Sequence, residues 1–296
     1  MGTTLMYLGK FEQAWVHFKQ GFDVYNPRYH ETYILLYGED PGVVCAAFGA
    51  EALWELGYQD QAIQWAEEAI ALAQELAHPP SLVIALHVES YLYMFRRDWS
   101  RALKQSDAII DFITQRKGAP HYWLIVAQFV RGKILVGLGR GNEGIHLIDQ
   151  AMTMWQESGL VGGKARFFWA AVEAYEVVGR IKEGLTLLIE ALEHIQQTGE
   201  RMEEPLVYWL QGNLLQSISE DEAEVEACFQ KAIEVARQQE AKSWELRATM
   251  SLSRLWLNQG KKEEARQLLS EIYDWFTEGF DTADLQEAKA LLEELS

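Results

Sequence analysis

The chain of 296 residues is poor in basic side chains, cysteine, proline and long apolar runs, and each shortage excludes something. Lys and Arg number 26 against 44 Asp and Glu, a formal charge of −18. That field repels nucleic acid and anionic lipid as a whole, so neither nucleic acid nor membrane is an expected partner. The two cysteines, Cys45 and Cys228, lie far apart and outside any CxxC pattern. A disulfide framework is therefore not expected, and a reducing, cytoplasmic location fits. No apolar run approaches the ~20 residues that span a bilayer. Met1-Gly2-Thr3-Thr4-Leu5 lacks the basic start and apolar core of a signal peptide.

Motifs for chemistry are missing too. The histidines at 17, 30, 78, 87, 121, 146 and 194 form neither HExxH nor HxxxH, so no metal and no cofactor is expected. No phosphate-binding GxxxxGK[ST] occurs. Glu190 with Glu193, and Glu263 with Glu264, fit solvated helix surface better than an acid/base pair. Cys45 and Cys228 sit beside apolar residues and fit a small core role. These residues point to a protein that is not an enzyme.

What is present is a repeat. Hydrophobic content of 49% excludes a disordered chain, and the wealth of Ala, Leu, Glu and Gln favours helix. A small residue opens a helix after a turn at Ala14, Ala62, Ala102, Gly144, Gly184, Val225 and Ala265, mostly about 40 residues apart. Seven residues on come Gly21, Ala69, Ile109, Ala151, Ala191, Ala232 and Ile272, on the same helix face two turns later. The preceding helix carries Ala50, Ser90, Gly132, Val172, Gly212 and Ser253, each followed at i+3 by Leu53, Tyr93, Leu135, Tyr175, Leu215 or Trp256. Alternation of small and large side chains at fixed offsets is what packed antiparallel helices require.

The period predicts an all-α, right-handed α-solenoid of about seven antiparallel helix pairs. Residues 2–8 and 10–24 form the first, followed by 42–56/58–77, 81–96/98–115, 120–138/140–157, 163–178/180–197, 204–217/220–238 and 243–259/261–277. Thr282-Ala283-Asp284 starts a C-terminal capping helix over 283–294, whose Asp284, Glu287, Glu293 and Glu294 suit a solvated outer face. Turn glycines such as Gly57, Gly139, Gly179 and Gly260 end helices, and Asp60, Asp98 and Asn142 suit the start of the next. Pro41, Pro120 and Pro205 fall at helix starts, where proline is tolerated. Residues 25–40 interrupt the period as an ordered connector. Residues 2–8 are too short to cover the helix after them, so the chain reads as one domain, 1–296, that is a fragment or C-terminal portion of a longer protein, with self-association through the uncapped N-terminal repeat as an alternative.

Helix pairs with Gly and Ala at these offsets resemble the tetratricopeptide repeat (TPR), with helices longer than its usual 34-residue period allows. The stretches Asp40-Pro41-Gly42-Val43 through Leu53-Trp54-Glu55-Leu56-Gly57-Tyr58, and Ala227-Cys228-Phe229-Gln230-Lys231-Ala232 through Trp275-Phe276-Thr277-Glu278-Gly279, are similar to the C-terminal repeat regions of bacterial signalling proteins. In those, a nucleotide cyclase or protein kinase domain precedes a signal-transduction ATPase. Arrays of the maltose-regulator type are a looser relative. The resemblance implies a non-catalytic sensory or scaffold array that binds a protein or peptide.

In that repeat the concave face takes fixed positions on the first helices. Here they are His87 and Tyr91, Phe129 and Lys133, Trp169 and Glu173, Trp209 and Asn213, and Arg254, with Arg166 and Arg247 extending the line. An aromatic and Arg-containing groove suits a peptide or partner helix. Trp169 and Trp209 equally fit core packing between neighbouring first helices, and the arginines fit pairing with local Glu. Two further readings stay open: a small-molecule sensor module of a transcriptional or cyclase regulator, and a self-assembly module.

Overall fold

Helix pairs follow one another along the chain in a computed structural model that describes residues 1–115, 121–159, 164–219 and 221–296. The pairs are α1 (Gly2–Tyr7) with α2 (Phe11–Asp23), α4 (Pro41–Glu55) with α5 (Gln59–Glu75), and α6 (Pro79–Phe95) with α7 (Trp99–Thr114). Then come α8 (His121–Gly137) with α9 (Gly141–Ser158), α10 (Lys164–Val177) with α11 (Ile181–Thr198), α12 (Glu204–Ile218) with α13 (Glu222–Gln239), and α14 (Lys242–Asn258) with α15 (Lys262–Tyr273). The capping helix α16 spans Ala283–Glu294, as its sequence implies. Among the described residues there is no strand. The expected helix starts at Pro120, Gly163 and Glu220 lie outside the described residues.

The two members of a pair differ in kind. In α6, 13 of 17 residues are buried. In α7 only Ala102, Ser106, Ile109 and Ile113 are. In this pair the first helix is therefore packed on both sides, and the second presents one apolar stripe and an outer polar face. The small positions explain how closely the layers meet. A Cβ on Gly144 would lie 2.4 Å from the carbonyl oxygen of Gly132, and one on Gly132 would lie 2.8 Å from that of Gly144. In the neighbouring α6/α7 pair and in α14/α15, serine takes the first-helix position. Ser90 Oγ donates to the Ala102 carbonyl at 3.0 Å, and Ser253 Oγ to the Ala265 carbonyl at 3.3 Å. The same joint is thus closed by direct backbone contact or by a hydroxyl reaching a carbonyl.

The chain divides into two compact units: Met1–Met6, Glu12–Trp54 and Gln59–Gly162 in the first, and Tyr7–Phe11, Glu55–Tyr58 and Gly163–Ser296 in the second. In the first unit Trp15 packs edge-on to Trp65 at 4.6 Å, and Trp54 stacks on Phe95 at 4.2 Å. In the second, the Tyr7 carbonyl accepts from the Arg201 and Met202 amides at 2.7 and 3.2 Å. Gly57 has φ +93°, and a Cβ there would meet Trp275 at 2.8 Å and Lys242 at 2.9 Å, so both backbone conformation and space call for glycine.

Three expectations are corrected. Asp60 and Asn142 do not cap helices; they lie within the first turns of α5 and α9. Asp98 does cap, accepting from the Arg101 amide at 3.2 Å. Asp284 is not on a solvated face: it is only 4% exposed and is held against Arg247. Thr282 occupies the cap position of α16, but its hydroxyl donates to the Gly279 carbonyl instead of accepting from the helix.

Gly144→Ala is expected to destabilise the protein by about 1–3 kcal/mol through overpacking against the Gly132 backbone. An unchanged midpoint in thermal unfolding would contradict this account of the joint.

Candidate functional site

The sequence-predicted face is distributed over the first helices of both units. In the first unit, α6 carries His87 and Tyr91, and α8 carries Phe129 and Lys133. The rings of His87 and Tyr91 belong to a continuous series that runs from α4 along α6 to α8. Trp54 stacks on Phe95, which is 5.4 Å edge-on from Tyr91. Tyr91 is 4.8 Å from His87, which is 5.5 Å from Trp123. Such edge-to-face pairs add to the burial energy and hold the rings in one arrangement. Phe129 is 2% exposed and belongs to the packed interior. Lys133 is half-buried, and its ammonium lies 5.6 Å from the centre of the Trp99 ring.

In the second unit, α10 carries Arg166, Trp169 and Glu173, α12 carries Trp209 and Asn213, and α14 carries Arg247 and Arg254. The indole of Trp209 donates to Ser251 Oγ at 2.9 Å and lies 6.2 Å from the Trp244 ring, tying α12 to α14. Arg247 Nε donates to Asp284 at 2.7 Å, with its guanidinium 5.0 Å from the Trp244 ring centre. Arg166 lies 3.8 Å from Glu203 and donates to the Met202 sulfur at 3.6 Å. Arg254 is exposed and lies 3.6 Å from Glu287. Each of these three arginines meets a carboxylate more than thirty residues away in the sequence.

Six of the eleven residues are therefore buried: His87, Tyr91, Phe129, Arg166, Trp169 and Arg247. They set the shape of the inner layer. Lys133, Glu173, Trp209, Asn213 and Arg254 retain access to solvent. Glu173, Trp209, Asn213 and Arg254 fall on the consecutive first helices of the second unit and supply an anion, an indole face, an amide and a cation.

Two polar clusters escaped the sequence reading. In the first, Glu89 of α6 is buried between α5 and α7, hydrogen-bonded to Gln105. Burial, then the charge of Glu67, push its carboxyl up to about 7 against the favourable pull of Gln105, Lys104 and Arg101. In the second, the Asp40 carboxylate is fully buried. It accepts from the Gly42 and Val43 amides at 2.9 and 3.1 Å, capping α4, and from the Tyr25 hydroxyl at 2.9 Å, with His30 Nδ1 at 2.8 Å. The Asp40 amide donates to Ser81 Oγ, which lies 2.9 Å from His78 Nδ1. The dipeptide Asp40-Pro41 was the legible signal for this cap; the side-chain partners come from residues 25–30 and 78–81 and leave no local pattern.

No family model matches the sequence, and no curated protein matches it. Solved structures do resemble the fold. A Rap protein complexed with Competence and Sporulation Factor aligns over 100% of this chain and 85% of its own, at 15% identity and a TM-score of 0.66. The Rap conjugation gene regulator of plasmid pLS20, in complex with the Phr* peptide, aligns over 86% and 74%, at 12% identity and 0.59. Aspartyl phosphate phosphatase F from Bacillus subtilis aligns over 92% and 67%, at 10% identity and 0.58. The fold is a TPR-like helical repeat. Among the described residues no helix is long and apolar enough to cross a membrane, and no group of three His, Cys, Asp or Glu is placed to hold a metal ion.

Two stability measurements test these environments. The Glu89 carboxyl titrates higher in the folded chain than its ordinary 4.5, so the folded state keeps a proton that the unfolded chain loses. Stability contributed by Glu89 is full below about pH 4.5 and is lost as pH rises toward about 7. Glu89→Gln is expected to match the wild type near pH 4.5 and exceed it at pH 8 by up to about 3 kcal/mol in urea unfolding; a constant difference across pH would contradict the burial argument. Arg247→Ala leaves Asp284 buried without its guanidinium and is expected to cost about 3–5 kcal/mol. The exposed pair behaves differently: Arg254→Ala is expected to cost at most about 1 kcal/mol. Equal losses in the two unfolding midpoints would contradict this division.

Proposed function

We propose that the chain is a non-catalytic interaction scaffold whose first-helix face takes a peptide or a helix of a partner protein. The observation that carries this reading is the accessible set on α10, α12 and α14 of a TPR-like array, with Glu173, Asn213 and Arg254 at one register and Trp209 one turn before Asn213. An indole face supplies an apolar anchor, and the amide, cation and anion supply directional contacts to a peptide backbone or to charged side chains. Two of the similar solved structures, both Rap proteins, hold Competence and Sporulation Factor and the Phr* peptide, which supports a peptide or protein partner for this fold.

The finer reading is a sensory or regulatory array of a bacterial signalling protein, acting in the cytoplasm on domains of its own parent chain or on a separate partner. The resemblance of the stretches around Trp54 and Ala227 to such proteins supports it. An upstream reading frame encoding an ATPase and a cyclase or kinase domain would support the array reading, whereas a frame without them would remove it.

Peptides selected from a random library against the full chain are expected to lose about tenfold or more in affinity in Trp209→Ala, and less in Asn213→Ala. Calorimetric titration with retained thermal midpoints checks this. Undiminished binding in both variants would move the site elsewhere.

A further inference from the structure

The segment that breaks the repeat carries an apolar surface of its own. Residues 27–29 form a 3-10 turn that runs into α3 (His30–Tyr37). Among the described residues, fourteen large hydrophobic side chains are exposed, and four of them, Tyr29, Leu35, Leu36 and Tyr37, fall within this one stretch. Leu35 is 86% exposed, and Leu36 and Tyr37 are each 65% exposed. Three consecutive apolar residues cover more than half the circumference of a helix, so no docking of α3 on its own unit could bury them all together with Tyr33 and Ile34.

This helix is nevertheless tied to the preceding chain through its N-terminal half. Tyr33 packs against Tyr25 at 5.8 Å and Tyr29 at 6.3 Å. Tyr25 and His30 both bond the buried Asp40, which caps α4. A pinned apolar platform loses little entropy when a partner covers it. Its charge indicates what the partner is. Gly38 ends α3 in the left-handed conformation, and Glu39 follows it. Glu39 is half-buried, and among the described residues its carboxylate has neither a hydrogen-bond donor nor a cation. Burial alone raises its affinity for a proton. Glu31 is exposed at the other end of the helix, and the whole chain carries −18. A second copy would bring the same charge and be repelled, whereas a cationic group would complete Glu39.

We propose that the outer face of α3, with Leu35, Leu36 and Tyr37 beside Glu39, is an interaction surface for a basic amphipathic helix of a partner protein. It lies outside the first-helix register and so is distinct in the chain from the face proposed above. The arrangement is a helix laid on an apolar platform, with a Lys or Arg of the partner against the Glu39 carboxylate.

The test uses the full chain and a labelled helical peptide of Leu and Lys, about 18 residues long, with a Leu/Glu peptide of the same pattern as control. Fluorescence anisotropy is expected to show binding of the Lys peptide alone. Binding should weaken about tenfold or more in Leu35→Ser/Leu36→Ser, because the apolar area is lost. It should weaken about threefold in Glu39→Gln. Tyr37→Ser serves as a second variant should the double substitution fail to fold. Equal affinity of the wild type and these variants for the Lys peptide, or no binding by the wild type, would overturn the proposal. So would a wild-type dimer in sedimentation velocity that Leu35→Ser/Leu36→Ser converts to monomer, since a second copy would then be the occupant.

Discussion

The structure depends on how closely the first helix of each pair approaches the second. At α8 and α9 the helices meet through Gly132 and Gly144, where one Cβ would strike the opposing carbonyl. At α6/α7 and α14/α15 the approach is loosened by one side chain, and serine hydroxyls bond the carbonyls of Ala102 and Ala265. The joint fixes the height at which the bulky residue one turn later enters the interface. Tyr93, Leu135 and Tyr175 are buried at that position in three successive pairs. Because the joint recurs, the side chains one turn before it and one residue after it recur at one height too. A functional face on a repeat protein is a consequence of this spacing and not of any single residue.

The same spacing explains what the sequence made legible. Helices α5 to α15 begin and end within a few residues of their expected limits, because small-residue positions and turn glycines are local signals. Gly57, Gly139, Gly179 and Gly260 all adopt positive φ as a helix terminator does. Arg97 and Glu240 take the same conformation without being glycine, and those turns carry a weaker signal in the sequence. Helix α3 was legible only as an ordered connector. Its apolar residues show no helical periodicity, since its outer face is as apolar as its inner one.

The proposed face was legible in register and less so in accessibility. Position along a repeat identifies which residues line the first helices. It does not tell which of them neighbouring helices will cover. Trp169 is buried while Trp209, at the same register, keeps access to solvent although its indole reaches Ser251 on α14. Long-range charge pairing escapes sequence patterns for a similar reason. Arg247 and Asp284 are 37 residues apart and meet only because α16 packs on α14. That contact buries a carboxylate whose local surroundings, among Glu287, Glu293 and Glu294, resemble solvated surface. The cap of the array is thereby fastened by charge as well as by Leu285, Ala288 and Leu291.

The central claim is that partners are read by the first helices while the second helices form the outer wall. Hydrogen–deuterium exchange of the full chain, free and saturated with a library-selected peptide, tests this most directly. The account predicts added protection in α10, α12 and α14, with α11, α13 and α15 unchanged. Protection confined to the second helices, or absent from both sets under saturating peptide, would contradict it.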